Sequence, residues 1–161
     1  MIAHILGNGP SKSEFRGSPD GDIYGCNLSD ADRNLTATFI MDKAVLNHIA
    51  NNGIRLNFPV IIPHSLKNLA VGCTVLDTLP REIENGESTG HHGVQYLIRK
   101  GYKEIHMWGF DSLYRDTVES DTQQKMPESV AHPTNFIRWR DKWDRIFKEA
   151  SGCNIIVHRS S

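Results

Sequence analysis

Short apolar runs alternating with one-faced helical periodicities predict an α/β fold, a mostly parallel sheet with helices on both faces. Length and composition agree. At 161 residues, with 39% hydrophobic and 23% charged, the chain can bury a sizeable core without disulfides or metal. Small, hydrogen-bonding residues also follow the predicted strands, as "GNGPS" follows the first.

The first strand is Ile2–Leu6, halted by Gly7, Asn8, Gly9 and Pro10, after which Ser11 opens a polar, helix-compatible segment. The second, Ile23–Cys26, is entered through the turn-rich "SPDGD". "TATFIMD" (36–42) has the β-branched and aromatic content of a third strand. Asp42 is then placed to cap a helix through "KAVLNHIAN", with Val45, Leu46 and Ile49 on one face. "FPVIIPHS" and "CTVLDTL" supply two more short strands. "HHGVQYLIRKG" reads as a helix with Val94, Leu97 and Ile98 inward and Gly101 at its end. "EIHMWGFD" is a buried strand closing on Gly109 and Asp111.

The clearest helix lies in "HPTNFIRWRDKWDRIFKEASG". Pro133 suits its first turn. Phe136, Trp139 or Arg140, Trp143, Ile146 and Phe147 form its apolar stripe, while Arg138, Asp141, Arg145 and Lys148 face water. Gly152 ends it and "NIIVH" is the last strand. There is no internal repeat. The chain reads as a single Rossmann-like domain over 1–161, with a polar loop at 111–131 as a candidate lid within it.

A formal net charge of −1 gives no electrostatic footprint for nucleic acid or an anionic membrane. No apolar run approaches the roughly 20 residues of a membrane span. "MIAHILGNGPS" lacks the basic and apolar regions of a signal peptide. Cys26, Cys73 and Cys153 are odd in number and form no C-x-x-C pair, so reduced thiols and a cytoplasmic location are expected.

In an open α/β sheet, ligands bind beyond the carboxyl ends of the strands. The residues that follow the strands or open the helices are Gly7, Asn8, Gly9 and Ser11; Asn27; Asp42; Ser88, Thr89 and Gly90; Gly109, Asp111 and Tyr114; and His132. This set suits a phosphate-bearing nucleotide better than a bare metal ion. Main-chain N–H groups at Gly7–Gly9 and in the Ser88–Gly90 turn can hold a phosphate without a cation. Asn8 and Asn27 each offer donor and acceptor, as a ribose or pyrimidine edge requires. Position 12 is Lys12, so the spacing G-x-G-x-x-G is not met. Each feature also has a local explanation: "GNGP" and Asn27 as turns, Ser88 and Thr89 as caps, Asp111 as a loop brace, His132 as a helix-start residue. His91 and His92 are read as non-ligands, because adjacent side chains diverge and the H-x-x-x-H spacing is absent, with phosphate contact as a second role.

"ILGNGPS", "IYGCN", "STG", "GYKEIHMWGFD" and "VAHPTN" occur in the order seen in small bacterial CMP-sialic-acid sialyltransferases that modify lipooligosaccharide, and the chain resembles that family. The frame is also similar to a wider sialyltransferase-like group that includes 6-hydroxymethylpterin diphosphokinase-like proteins. The resemblance implies that Gly7, Asn8, Gly9 and Asn27 contact the nucleotide. It implies that Ser88, Thr89 and Gly90 touch its cytidine and sugar parts, and that Gly109 and Asp111 lie beside base and ribose. Tyr114 stands for a lid tyrosine on the departing phosphate, and His132 for the general base. The chain departs from the family in being shorter, in having Asp42 where an asparagine is usual, in a single lid tyrosine, and in the order of Ser88 and Thr89.

The expected function is transfer of a sugar from a CMP-sugar donor, with a glycan acceptor and no required cofactor. Two alternatives stay open. One is a Mg²⁺-dependent diphosphotransferase or another nucleotide-dependent group transfer using Asp42 and Asp111. The other is a non-catalytic nucleotide-binding protein.

Overall fold

The computed structural model describes residues 1–17, 20–28, 34–80, 83, 88–118, 126 and 134–160. Seven strands form one sheet: β1 (Ile2–Leu6), β2 (Asp22–Cys26), β3 (Ala37–Phe39), β4 (Val60–Ile62), β5 (Val75–Thr78), β6 (Glu104–Trp108) and β7 (Asn154–Val157). Their order is β5-β4-β3-β2-β1-β6-β7, and every neighbouring pair is parallel. The helices are α1 (Lys43–Asn51), α2 (Thr89–Arg99) and α3 (Asn135–Glu149).

The two-residue period of the strands sorts the core into layers. Ala3 and Ile5 of β1, and Ile105 and Met107 of β6, meet Val94 and Leu97 of α2 and Trp143 and Ile146 of α3 on one face. On the other, Val60 and Ile62 of β4, with Ile40 just beyond β3, meet Val45, Leu46 and Ile49 of α1. This is the Rossmann-like α/β architecture expected from the alternating patterns, with helices on both faces. Trp143 is the largest fully buried side chain, and truncating such a residue costs about 3–5 kcal/mol, so it is the main anchor of α3.

The stripe on α3 takes Trp139 and not Arg140. Trp139 packs against the first cluster, while Arg140 donates from Nε to the Ser112 carbonyl at 2.7 Å and pairs with Asp116 at 3.0 Å. The segment expected as a strand over 36–42 is extended only at Ala37–Phe39, although Ile40 N–H still donates to the Ile61 carbonyl. The segment opened by Ser11 is a single 3₁₀ turn, Pro10–Glu14. In the candidate lid, Asp111–Leu113 is another 3₁₀ turn, and Met126 is buried with Ile40, Val45 and Ile62. Residues 119–125 and 127–131 of that loop lie outside the described residues, as does the expected helix start at His132 and Pro133. Among the described residues, no helix is long and apolar enough to cross a membrane.

Three histidines, which the apolar patterns did not single out, line the sheet face opposite α2. His4 on β1 pairs in register with His106 on β6, and their rings stack at 4.8 Å. An indole N–H can only donate, so the 3.1 Å contact from Trp108 Nε1 makes His4 Nδ1 an acceptor. His4 Nε2–H then donates to the Asp20 carbonyl at 3.2 Å. His106 Nδ1 and His158 Nε2 lie 2.8 Å apart and share one proton, while His106 Nε2 faces Glu104 at 3.0 Å. Burial, then the neighbouring His106, holds His4 below the usual histidine range, and His158 is lowered by burial and by both other rings.

Both shifts are depressions, so the unfolded chain binds protons that the folded one refuses. The stability these rings contribute is present above the unfolded histidine value of about 6.5 and is lost as pH falls below it. The urea midpoint is therefore expected to drop between pH 7.5 and 5.5, and to drop less in the double variant His4→Gln/His158→Gln. A wild-type midpoint that does not move over this range would contradict the assignment.

Candidate functional site

The strand order reverses at β1, which has β2 on one side and β6 on the other; ligands in such sheets sit beyond this switch point. Here the β1–β6 side is closed by the chain itself. Gly7 N–H donates to the Trp108 carbonyl and Gly9 N–H to the Gly109 carbonyl, at 2.6 and 2.8 Å. Ser11 donates to Asp111 Oδ1 from both its main-chain N–H, at 3.1 Å, and its hydroxyl, at 2.6 Å. Both residues are buried. A Cβ on Gly9 would lie 2.3 Å from Asp111 Oδ1, and one on Gly7 would lie 2.6 Å from the Gly109 carbonyl oxygen.

This corrects the expected use of the "GNG" turn. The N–H groups of Gly7 and Gly9, expected to hold a phosphate, are spent on the end of β6. The glycines are required because two loops meet where a side chain would not fit. Ser11 and Asp111 likewise face each other. The Asp111 carboxylate is further approached by the Tyr114 hydroxyl at 3.4 Å and Arg115 Nη1 at 3.9 Å.

On the β1–β2 side the arrangement differs. Asn8 Nδ2 donates to the Cys26 carbonyl at 3.1 Å, tying the first loop to the end of β2. Asn27 follows β2 in the left-handed region, φ 54°, which asparagine tolerates better than most residues. Its N–H donates to the Phe39 carbonyl at 2.8 Å, and its carbonyl accepts from the Thr38 hydroxyl at 2.9 Å. The backbone is thus fixed on both sides and the side chain is positioned. Asn27 Oδ1 accepts from the Thr89 hydroxyl at 3.5 Å, and its Nδ2 makes no hydrogen bond among the described residues. Thr89 and Gly90 open α2, where first-turn N–H groups have no acceptor within the helix and the dipole favours an anion. Gly90 lets that turn lie against Phe110, since a Cβ there would meet the ring at 2.4 Å.

Ser88 takes the capping role that its local reading allowed. Its N–H donates to His91 Nδ1 at 3.0 Å, a capping box with histidine in the place of the usual Glu or Gln. The proton of His91 therefore sits on Nε2, which donates to the Trp139 carbonyl at 3.1 Å. Burial pushes His91 down to about 4, so it is a neutral core residue linking α2 to α3, without the phosphate contact allowed as a second role. The signal in the sequence was the Ser88-x-x-His91 spacing.

Asp42 occupies the cap position of α1, exposed and without a capping hydrogen bond. Tyr114 lies beyond β6, two strand spacings or roughly 10 Å from the end of β2. His132 lies outside the described residues. The structure thus brings together Asn8, Asn27, Thr89 and Gly90, and assigns Gly7, Gly9, Ser11, Gly109 and Asp111 to the closure beside them. Thr38, which shapes this corner together with Phe110, was not foreseen; it is a strand residue with no chemical signature of its own.

No protein-family model matches the sequence, and no curated protein matches it. Solved structures do. The sialyltransferase CST-II in complex with a trisaccharide acceptor and CMP matches with a TM-score of 0.58 and 15% identity, over 98% of this chain and 80% of that one. CstII from Campylobacter jejuni with the substrate analogue CMP-3FNeuAc matches with a TM-score of 0.55 and 15% identity, over 97% and 79%. The chain has a sialyltransferase-like fold.

Gly9→Ala is expected to lower stability by about 1–3 kcal/mol, the usual cost of overpacking, read as a lower urea midpoint. Wild-type stability in this variant would show that the β1–β6 contact is not close-packed.

Proposed function

We propose that the chain is a nucleotide-sugar glycosyltransferase of the sialyltransferase type, using a CMP-sugar donor. The observation that carries this reading is the corner formed by Asn8, Asn27 and the first turn of α2, at the carboxyl end of a fully parallel sheet. Asn27 Nδ2 supplies a donor for a base or ribose oxygen, and the Thr89 and Gly90 N–H groups supply donors for a phosphate. Gly7 and Gly9 act at one remove, by fixing the loop that carries Asn8. The likeness to structures holding CMP, a CMP-sugar analogue and an acceptor glycan supports a nucleotide and a glycan as partners.

In the reaction proposed, the bond from the anomeric carbon to the phosphate oxygen breaks as the acceptor oxygen bonds to that carbon. The acceptor proton passes to His132, whose reference pKa of about 6.5 suits a base near neutrality. Donors around the departing phosphate, the Thr89 and Gly90 N–H groups, stabilise the charge that develops there; the Tyr114 hydroxyl, expected in that role, is bonded to Asp111 and Ser160 beyond β6. This scheme uses no metal and no cofactor.

Calorimetric titration with CMP in metal-free buffer is expected to show binding, weakened about tenfold, or about 1.4 kcal/mol, in Asn27→Ala. Binding of ATP or GTP that depends on Mg²⁺, with none of CMP, would replace this reading by a diphosphotransferase. No stabilisation by any nucleotide would replace it by a protein without nucleotide chemistry.

His132→Ala is expected to abolish transfer from a CMP-sugar while leaving CMP affinity nearly unchanged. Equal turnover by variant and wild type would remove His132 from the mechanism.

A further inference from the structure

Beyond the ends of β6 and β7, Arg115 and Arg159 flank one aromatic ring. The Arg159 guanidinium carbon lies 5.1 Å from the centre of the Tyr114 ring and that of Arg115 lies 5.6 Å from it. The two segments are fastened together: Arg115 Nη2 donates to the Ser160 hydroxyl at 2.7 Å, and Ser160 N–H donates to the Tyr114 hydroxyl at 3.4 Å. Both arginines are exposed. Of the local acids, Asp116 pairs with Arg140, and Asp111, buried against Ser11, has Arg115 as its cation. Arg115 sits 3.9 Å from Asp111, and Arg159 makes no ion pair among the described residues. Among the described residues, Arg115, Arg140 and Arg159 stand against two carboxylates, Asp111 and Asp116, so the corner has one cation in excess, Arg159, on a protein whose net charge is −1.

We propose that Arg115 and Arg159, braced on Tyr114, form an oxyanion subsite that takes the carboxylate or phosphate group of a glycan. A guanidinium offers a planar fork of N–H donors that matches either group with two parallel hydrogen bonds. Stacking on an aromatic face holds such a side chain in place before the ligand arrives, which lowers the ordering cost of binding. The position fits an acceptor: the pair stands beyond β6 and β7, strands two and three spacings, roughly 10 and 14 Å, from β2, whose end carries Asn27. The assignment to a glycan acceptor rests on the proposed glycosyltransferase reading; the affinity of the pair for an oxyanion does not.

The test is calorimetry with three probes, 3′-sialyllactose, lactose phosphate and neutral lactose, each with and without saturating CMP. At least one anionic glycan is expected to bind wild type ten times or more tighter than lactose, and which one does so identifies the group recognised. Arg159→Ala should lose most of that preference and Arg115→Ala/Arg159→Ala all of it, with lactose binding and the far-ultraviolet circular dichroism of the folded protein unchanged. Arg159→Lys keeps the charge but not the fork, and should recover only part. Equal binding of charged and neutral glycans, or a preference that survives in the double variant, would overturn the subsite. Because the glycan arms are also run without CMP, they decide this question even if CMP fails to bind. That failure would count against the glycosyltransferase reading alone.

Discussion

The buried carboxylate of Asp111 fastens the ends of β1 and β6, and the shape of the candidate site follows from that contact. Burying an unpartnered carboxylate costs several kcal/mol, so the group must be met by donors from the surrounding chain. Ser11 supplies two, from its N–H and its hydroxyl, and hydrogen bonds to a charged group contribute about 1.5–3 kcal/mol each. The approach this needs leaves no room for a Cβ at Gly9. With the β1–β6 side closed, the corner left for a ligand is on the β1–β2 side, where Asn8, Asn27 and Thr89 stand.

That corner is built without a cationic side chain among its hydrogen-bonded members. The polarity comes from amides, a hydroxyl and the start of α2, and each is held by a separate device. Asn27 is fixed through both main-chain groups by Phe39 and Thr38, residues at the end of β3. The start of α2 is fixed by His91, which caps Ser88 on one ring nitrogen and reaches the Trp139 carbonyl with the other. The site is thus braced by the neighbouring strand and by the helix that packs beside it, and a change in α3 would be felt at the first turn of α2. The guanidinium groups of Arg115 and Arg159 stand elsewhere, beyond β6 and β7, against the Tyr114 ring.

Much of the architecture was legible because strand and helix periods differ and the apolar residues keep to them. Val45, Leu46 and Ile49, or Val94 and Leu97, declare their buried faces without tertiary information. The residues after the strands were also legible as a set, since a parallel sheet brings its carboxyl ends to one edge. Their division of labour was not. A glycine that admits a ligand and a glycine that admits another loop look alike in sequence, because both answer the same steric need. Ser11 and Asp111 are separated by 100 positions, and no local pattern announces that they meet. The capping role of His91 was not legible, because it depends on an acceptor nitrogen standing in for a carboxylate. The stacked histidines were overlooked because alternation on β1 and β6 flags positions as facing one side without saying that His4, His106 and His158 would be neighbours.

On the proposed reading, a nucleotide enters the β1–β2 corner and not the closed β1–β6 crevice. Backbone amide shifts of isotopically labelled protein, followed by NMR as CMP is added, distinguish the two. The largest changes are expected at Asn8, Asn27, Thr89 and Gly90, with little movement at Gly7 and Ser11. Changes centred on Gly7, Ser11 and Asp111, or confined to a surface away from the carboxyl ends of the strands, would contradict it.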